Sequence, residues 1–437
     1  MENLIIKDVK ARQVFDSRAN PTVEVDVVLE NGIIGRGIVP SGASTGVFEA
    51  LELRDGDAKH FSGKGVRNAI ENIHKELKPL LVGQNANDQA MLDKKMIALD
   101  GTGNKSRLGA NAILGCSMAI AYAAANAKGI PLYEHLGGIN ARTIPVPMIQ
   151  IIGGGAHAVN SIDIQDFLVI PTGAKTFEES IEMVITVYNA CKKVFEKNGK
   201  PLATADEGGF WPTDFKTNEE GLQLLTEAIV LAGYKPYDEV AIALDIASSE
   251  FYNKDKGTYS FHLENKEFTR EEFVDLICEW VEKYPIISLE DACSELDWEG
   301  NKLLTEKLGK KIQLIGDDLF TTNIERIKQG VDSNTCNSVL IKMNQIGSIT
   351  ETLEAIEYTK NAGWLPVVSA RSGETEDVTI VHLAIASNAG QLKVGSVARS
   401  ERNCKWNEGI RIEEALKENG CYPSKNIFNR VIKEKRI

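Results

Sequence analysis

The sequence predicts an α/β protein in which a C-terminal β/α barrel is capped by a smaller N-terminal α+β domain. The main observation is a series of short apolar runs in the C-terminal half, each ending on a charged or hydroxyl residue. The ends of these runs are Asp245, Glu290, Asp317, Lys342, Ser369 with Arg371, and Lys393. From Glu290 onward the successive ends are 27, 25, 27 and 24 residues apart. One strand and one crossover helix occupy about 25–30 residues, so the spacing predicts successive parallel β/α units.

Length and composition give the second observation. The chain has 437 residues, which exceeds one ordinary hydrophobic core and predicts two domains. Apolar residues make up 43% and charged residues 25%, the proportions of a globular soluble protein. Buried parallel strands are nearly continuous apolar runs, as VAIALD and IQLIGD are here. The sequence contains no internal repeat and no low-complexity segment, so a barrel with one further domain is the favoured architecture.

The N-terminal part predicts strands followed by helices. Residues 1–60 alternate apolar and polar side chains around turn residues, which is typical of short strands. Residues 64–135 contain three helix-like stretches, and the last of them, NAILGCSMAIAYAAANAKG, is apolar on most faces and is expected to be buried. We therefore expect a capping domain at residues 1–140 and a barrel domain at residues 141–437.

Charge and cysteine usage limit the partners and the compartment. The formal net charge of −13 disfavours nucleic acid and anionic membranes as partners. The seven cysteines are scattered, with no CxxC and no Cys/His cluster, which predicts reduced thiols and argues against zinc. We expect no cleavable signal at the N-terminus and no later apolar stretch long enough to span a bilayer. We expect a cytoplasmic protein.

The strand-end residues form a candidate site. Polar residues at the C-terminal ends of parallel strands converge on the face of a closed barrel where that fold carries out its chemistry. A single Asp there is more often a helix cap, and a single Lys is usually a solvated rim charge. Three carboxylates and two lysines on one face favour a site instead, because unpaired like charges would repel. The pattern predicts a divalent metal beside one or two amines that act in acid–base chemistry.

Three loops are further candidates. SGASTG at 41–46 offers hydroxyl oxygens to a metal or a phosphate, although a surface turn has the same composition. IIGGGAHAVN at 151–160 places three glycines before His157, which allows the backbone to approach a ligand closely. TADEGGF at 204–210 carries Glu207, which is either an acid or part of a solvated turn.

Long motifs along the whole chain resemble those of the enolase family, the phosphopyruvate hydratases of glycolysis. The matching stretches are FDSRANPTVEV, VPSGASTGVFEALELRDGD, LGANAILGCSMA, DEGGF, ALDIASSEF, SLED, GDDLFTTN, IKMNQIGS, RSGETED and ARSER. The resemblance implies an N-terminal α+β domain and a modified C-terminal barrel. It also implies a Mg²⁺-dependent carbon–oxygen lyase that interconverts 2-phosphoglycerate and phosphoenolpyruvate, acting as a homodimer or larger homo-oligomer.

The resemblance implies a metal site. The family's primary metal ligands fall on Asp245, Glu290 and Asp317, in agreement with the strand-end pattern. Three carboxylates select a hard cation such as Mg²⁺. Ser44, in the loop at 41–46, matches the family residue that closes over a second metal. Two Mg²⁺ ions per active site are therefore expected.

The resemblance also implies catalytic and substrate-binding roles. Lys342 matches the general base that removes the proton beside the substrate carboxylate, and this base needs a lowered pKa. Lys393 matches the group that stabilises the enolised carboxylate, and Glu207 matches the acid that protonates the departing hydroxyl. The positions that match substrate-binding residues are His157, Gln165, Arg371, Ser372 and Lys393.

The chain departs from the family pattern around the leaving hydroxyl. Asp166, expected to take part in catalysis, stands where the family has Glu, and Ala370 stands where it has His. Phe48 replaces a His that many enolases carry, and the segment after Glu290 lacks the usual Pro. Asp is one methylene shorter than Glu, which withdraws the carboxylate by about 1.5 Å. Alanine cannot donate a proton or a hydrogen bond.

These departures leave two interpretations open. In the first, the chain is an enolase in which Glu207 and water supply the acid. In the second, it is an enolase-like paralogue that uses phosphoenolpyruvate in phosphonate metabolism, as carboxyphosphonoenolpyruvate synthase does, and has no hydroxyl to expel. A catalytically silent paralogue is a third class, but it predicts loss of metal ligands and none is lost. The substrate in either case is a small phosphorylated carboxylate.

Overall fold

The computed structural model describes residues 4–42, 46 and 48–434. The N-terminal part consists of a three-stranded antiparallel sheet packed against helices. Its strands are β1 (Ile6–Phe15), β2 (Pro21–Leu29) and β3 (Ile34–Ile38). Its helices are α1 (Arg67–Asn72), α2 (Lys78–Leu81), α3 (Gln89–Asp100), α4 (Ala110–Lys128) and α5 (Leu132–Gly137), with a π-helical segment, Ile73–Leu77, between α1 and α2. The predicted order of strands followed by helices is confirmed.

Helix α4 is the core of the N-terminal part. Its small side chains let it pack closely on the sheet: a Cβ at Gly35 of β3 would lie 2.0 Å from the Ala123 nitrogen. The expectation that no apolar stretch is long enough to span a bilayer was wrong by length and composition, because α4 passes that test. However, 89% of its apolar window is buried inside the structure, which identifies a core helix. Its predicted burial is confirmed.

The remaining strands build a barrel and a small sheet. They are β4 (Val146–Gly153), β5 (Asp166–Ile170), β6 (Ala241–Asp245), β7 (Tyr252–Asn253), β8 (Thr258–Phe261), β9 (Lys266–Thr269), β10 (Ile286–Glu290), β11 (Gln313–Gly316), β12 (Ser338–Ile341), β13 (Leu365–Ser369) and β14 (Gln391–Gly395). The barrel closes in the order β4, β5, β6, β10, β11, β12, β13, β14, and β7–β9 form the separate sheet. The predicted barrel with a smaller α+β part is confirmed.

Most of the barrel strands are parallel, as the spacing of the strand ends predicts. The helices on the outside are α6 (Phe177–Lys197), α7 (Glu219–Leu231), α8 (Arg270–Lys283), α9 (Trp298–Leu308), α10 (Ile324–Asp332), α11 (Met343–Ile346), α12 (Ile349–Asn361), α13 (Thr379–Ala386) and α14 (Ser400–Leu416). Several of them begin with a side-chain cap. The Thr269 hydroxyl, for example, accepts from the Glu272 amide in a capping box before α8, which leads into β10.

Strand β5 is the exception, because it is antiparallel to both of its neighbours, β4 and β6. Its first residue, Asp166, pairs with Gly153 at the end of β4 and with Asp245 at the end of β6. The start of this reversed strand therefore lies at the same end of the barrel as the C-terminal ends of the others. The repeating strand spacing, which begins after β5, did not predict this reversal.

Candidate active site

A cavity opens at the C-terminal ends of the parallel barrel strands. The predicted site residues that line it are His157, Gln165, Asp166, Glu207, Asp245, Lys342, Arg371, Ser372 and Lys393. Ala370, one of the departures from the family pattern, also lines it. Ser44 lies outside the described residues. The structure thus brings together side chains that are up to 236 positions apart in the sequence, from His157 to Lys393.

The centre of the site joins two carboxylates through a lysine. Asp245 ends β6, Glu290 ends β10, and both side chains are buried. Lys393, on β14, donates from Nζ to Asp245 Oδ2 at 2.8 Å and to Glu290 Oε2 at 2.7 Å. Strands β14 and β10 lie opposite each other in the barrel, so the long lysine side chain reaches across its mouth.

The electrostatics of this centre call for positive charge. Burial and the Asp245 charge raise the pKa of Glu290 well above its usual range, and Asp317 adds to the effect. Burial lowers the pKa of Lys393, but Asp245 and Glu290 outweigh it, so the pKa lies well above the ordinary lysine value. The Lys393 ammonium stands in a position that needs a cation. Oxygen donors with this charge suit Mg²⁺, so the residues fit the metal that the sequence predicted.

Asp317 and Lys342 form the next part of the site. Asp317 directly follows β11 and Lys342 directly follows β12, and the two side chains form an ion pair. Gln345 Nε2 donates to Asp317 Oδ1 at 2.8 Å. Burial lowers the pKa of Lys342, but Asp317 outweighs it and holds the pKa above the ordinary value. The predicted lowering of the Lys342 pKa therefore requires positive charge in addition to these side chains.

A second group of carboxylates adjoins Asp317. Single oxygens of Asp291, Asp317 and Asp318 all lie within 4.8 Å of one another. Asp291 accepts the backbone N–H groups of Asp317 at 2.8 Å and Asp318 at 2.9 Å, so it shapes the turn after β11. Burial and the Asp317 charge raise the pKa of Asp318 to about 8. This group extends the region of negative charge beyond the three predicted ligands.

The opposite side of the cavity holds an acid cluster, which we define as His157, Asp166 and Glu207. His157 Nδ1 lies 2.9 Å from Asp166 Oδ1, and His157 Nε2 lies 3.9 Å from Glu207 Oε1. Asp166 Oδ1 also accepts from Gln150 Nε2 at 2.6 Å. All three members are buried, and strand β5, which carries Asp166, lies four strands away from β12 in the eight-stranded ring.

The pKa values within the acid cluster move in different directions. Burial lowers the pKa of His157, but the Asp166 and Glu207 carboxylates outweigh it and raise the pKa to about 9. Burial raises the pKa of Asp166, but the His157 charge outweighs it and leaves the pKa below the usual range. Burial raises the pKa of Glu207, and His157 with Arg402 offsets this only in part. Two neighbouring carboxylates with opposed shifts are suited to different proton-transfer roles.

Arg371 forms an anion-binding part of the cavity. Its guanidinium donates to Glu49 Oε2 at 3.0 Å and to Asn344 Oδ1 at 3.1 Å, so a carboxylate occupies the position of an anionic partner. Buried Arg402 supports the turn beneath it, donating to the carbonyl oxygens of Arg371 and Ser372, each at 2.6 Å. A planar guanidinium held in this way suits a phosphate.

Two further positions that the sequence singled out have clear surroundings. Gln165 Nε2 donates to Asp245 Oδ2 at 3.1 Å, which joins the 151–165 segment to the carboxylate centre. Phe48, where many enolases carry His, stacks on Arg326: the guanidinium carbon lies 3.7 Å from the ring centroid. Phe48 therefore acts here as a packing group.

Two family models match the chain. The family model described as "Enolase, N-terminal domain" matches residues 6–136, and the one described as "Enolase, C-terminal TIM barrel domain" matches residues 141–431. The chain belongs to the enolase family. It is 67% identical over 428 residues to "Enolase 1" of Desulfitobacterium hafniense (strain Y51), with 98% of each chain covered. The family resemblance inferred from the sequence motifs is confirmed.

Several residues of the site were missed by the sequence analysis. Glu49 and Gln345 lie inside quoted family motifs, GVFEALELRDGD and IKMNQIGS, and Arg402 lies inside ARSER. Their membership of these motifs is the signal that was available. Gln150 interrupts the apolar run VPMIQIIG of β4, and a buried polar residue in such a run indicates a specific hydrogen-bond partner.

We predict that His157 carries a proton at neutral pH and titrates near pH 9. The carboxylates of Asp166 and Glu207 hold that proton. The ring resonances of His157 in histidine-labelled protein, followed by NMR from pH 5 to 10, measure the midpoint. Asp166→Asn removes one negative charge and lowers the midpoint towards 6.5, whereas Asp275→Asn, at an exposed residue that pairs with Lys307, leaves it unchanged. A wild-type midpoint below 7 contradicts the prediction.

Proposed function

We propose that the protein catalyses the reversible, Mg²⁺-dependent dehydration of 2-phosphoglycerate to phosphoenolpyruvate. The observation that carries the proposal is the arrangement of the cavity. Lys342 after β12 and the acid cluster on and beside β5 lie on opposite sides of the barrel mouth, with the carboxylate centre between them. A substrate in the cavity then has a base on one side and an acid on the other. The name of the relative, an enolase, supports the same reaction.

Lys342 is the proposed general base. It removes the proton beside the substrate carboxylate, and for this step it must be neutral. The ion pair with Asp317 favours the charged form of Lys342. Lys342 can therefore act as a base only when the Asp317 carboxylate binds another cation. Lys393, with its pKa well above the ordinary value, stays charged and stabilises the enolised carboxylate.

The acid cluster is the proposed proton source for the departing hydroxyl. Burial raises the pKa of Glu207, so this carboxyl group retains a proton more readily than a solvated glutamate does. Asp166 remains ionised and keeps His157 charged through the 2.9 Å contact. Glu207 thus donates the proton, and Asp166 with His157 orients the leaving hydroxyl. This division of labour accounts for an acid side that lacks a His at position 370.

Binding of the substrate is assigned to the remaining cavity residues. Arg371 and Ser372 hold the phosphate, and Arg371 already binds the Glu49 carboxylate in the structure. His157 and Gln165 contact the substrate from the 151–165 segment. The substrate class is therefore a small phosphorylated carboxylate.

Asp245, Glu290 and Asp317 are the proposed ligands of the primary Mg²⁺. The family resemblance assigns a second Mg²⁺ to Ser44, which lies outside the described residues. When bound, Mg²⁺ supplies positive charge that stabilises the enolised carboxylate and that competes with Lys342 for Asp317. The buried carboxylates, the raised pKa of Glu290 and the cation already held between Asp245 and Glu290 support this assignment.

The proposal also covers the domain boundary, the oligomeric state and the compartment. The domain boundary is placed at residue 140, just before the second family match begins at 141. A homodimer or larger homo-oligomer in the cytoplasm is proposed from the family resemblance, without nucleic acid or membrane as a partner. All seven cysteines are free thiols, which suits a reducing compartment.

The first test is the conversion of 2-phosphoglycerate to phosphoenolpyruvate, followed by ultraviolet absorbance with saturating Mg²⁺. We expect a turnover of about 10 s⁻¹ or more, as for ordinary metabolic enzymes. A rate several orders of magnitude lower, with phosphoenolpyruvate still bound, would favour the phosphonate paralogue. Phosphoenolpyruvate supplied with phosphonoformate then tests that alternative directly.

We predict that Lys342→Ala abolishes dehydration while Mg²⁺ binding survives. The variant removes the base but none of the proposed ligands. Exchange of the substrate C2 hydrogen with deuterated solvent, read by NMR, should be lost together with turnover. Lys360→Ala is the matched control, because Lys360 lies on α12 and donates to the Ser387 carbonyl. Exchange at the wild-type rate in Lys342→Ala excludes Lys342 as the base.

We predict that Asp245→Ala weakens Mg²⁺ binding by about tenfold or more. Removal of one of three carboxylates leaves the ion with an unfilled position and less negative charge. Isothermal titration of Mg²⁺ in the absence of substrate measures the affinity without any dependence on activity. Asp275→Ala removes an exposed carboxylate and serves as the control. An unchanged titration would count against Asp245 as a ligand.

A further inference from the structure

We propose that Gln150 is a positioning residue for the acid cluster. Its buried amide fixes the Asp166 carboxylate and the Glu207 loop (residues 204–210) relative to each other, and its length is matched to the short side chain of Asp166. The proposal rests on the dehydration proposed above. Gln150 is not among the residues that line the cavity, so it acts through its two neighbours.

Both ends of the Gln150 amide are used. Its Oε1 accepts the backbone N–H of Gly209 at 2.9 Å, and its Nε2 donates to Asp166 Oδ1 at 2.6 Å. A backbone N–H can only donate, so Oε1 faces the loop and Nε2 faces the carboxylate. The side chain has no exposed surface. Loss of either bond would leave a buried polar group unpaired, which keeps the amide in this orientation.

Two glycines enclose the amide. A Cβ at Gly153, which pairs with Asp166 across the sheet, would lie 3.0 Å from Gln150 Nε2 and 2.7 Å from the Ala205 Cβ. A Cβ at Gly209 would lie 2.5 Å from Gln150 Oε1. The space beside β4 is therefore shaped for a side chain that reaches as far as glutamine. The Glu207 loop is held on the same strand by backbone bonds between Phe210 and Ile151, and between Gly153 and Phe210.

This contact sets the orientation of the Asp166 carboxylate. Oδ1 receives hydrogen bonds from both Gln150 and His157, and these two donors fix the plane of the group. Oδ2 has no hydrogen-bond partner among the described residues and lies 3.9 Å from Lys393 Nζ. One oxygen is thus tied to the protein and the other is kept next to the reaction centre. The Gly209 N–H also bonds to Gln150, and because Gly209 lies two residues after Glu207, this bond restricts the position of the Glu207 backbone.

The lengths of the two side chains are complementary. Asp166 is one methylene shorter than the Glu that the family pattern has there, and glutamine is one methylene longer than asparagine. Each methylene changes the reach by about 1.5 Å, so either change alone opens a gap or forces an overlap in this buried contact. Changing both residues in opposite directions restores the combined length. Gln150 therefore accounts for how a shortened Asp166 still meets a donor at 2.6 Å.

The experiment is a cycle of Gln150→Asn, Asp166→Glu and the double variant. Each single variant should lower kcat about 10²-fold with KM within threefold, because a misplacement of about 1 Å is enough for such a loss. The double variant should recover at least tenfold over the Asp166→Glu variant. Exchange of the C2 hydrogen, which depends on Lys342, should change less than threefold in Gln150→Asn. This difference separates a displaced acid side from general damage to the fold.

Gln313→Asn is the matched control. Gln313 is a fully buried glutamine of the same barrel, on β11, whose Oε1 accepts from Ser288, and the variant should retain kcat within twofold. Wild-type kcat in Gln150→Asn, or a double variant no better than Asp166→Glu, overturns the proposal. The second comparison still applies if Gln150→Asn fails to fold. A wild-type protein that does not dehydrate 2-phosphoglycerate rejects the proposed function instead, so the two failures are distinguishable.

Discussion

The mouth of the barrel concentrates buried carboxylates, and a buried carboxylate remains an anion only where positive charge or hydrogen-bond donors lie beside it. This constraint organises the site. Lys393 reaches across the barrel to join Asp245 and Glu290, Lys342 pairs with Asp317, and His157 pairs with Asp166 in the acid cluster. The three cations divide the mouth into a centre, a base side and an acid side. Because two buried carboxylates lie side by side at the centre, their charge favours a divalent cation.

The departures from the family pattern are spread around the barrel mouth. Asp166 belongs to the acid cluster, Phe48 packs on Arg326, and the missing Pro follows Glu290 of the carboxylate centre. Asp166 is short, yet its Oδ1 is satisfied by two donors, and Gln150 supplies one of them. Phe48 gains a stacking partner in Arg326. Ala370 lines the cavity, where its methyl group offers no hydrogen-bonding atom. Nothing in the structure explains the missing Pro after Glu290-Asp291.

The sequence was most informative for site residues that lie at or just after the C-terminal end of a parallel strand. Asp245, Glu290 and Ser369 end their strands, and Asp317 and Lys342 directly follow theirs, as the spacing predicted, because parallel strands in one barrel end on the same face. Lys393 differs, because it lies in the middle of β14. It was least informative for Asp166, which starts a strand that runs in the opposite direction, and for Gln150, which lies in the middle of β4. Local pattern does not reveal the direction of a strand, since direction depends on pairing. The pKa of Lys342, expected to be lowered, was also beyond the sequence, because it depends on the distance to Asp317.

The sequence by itself determined the class of fold, the family, and the identity of the charged and polar groups that meet at the barrel mouth. Apolar periodicity and motif spacing are local properties, and they are written directly in the order of residues. Only the tertiary structure decided how those groups pair: Lys393 with two carboxylates from the far side of the barrel, Asp166 with Gln150 and His157, and Glu207 beside them. Hydrogen bonds form only within about 3.2 Å, and ion pairs are strongest at similarly short separations. Which partners come within that range is fixed by barrel closure and strand direction.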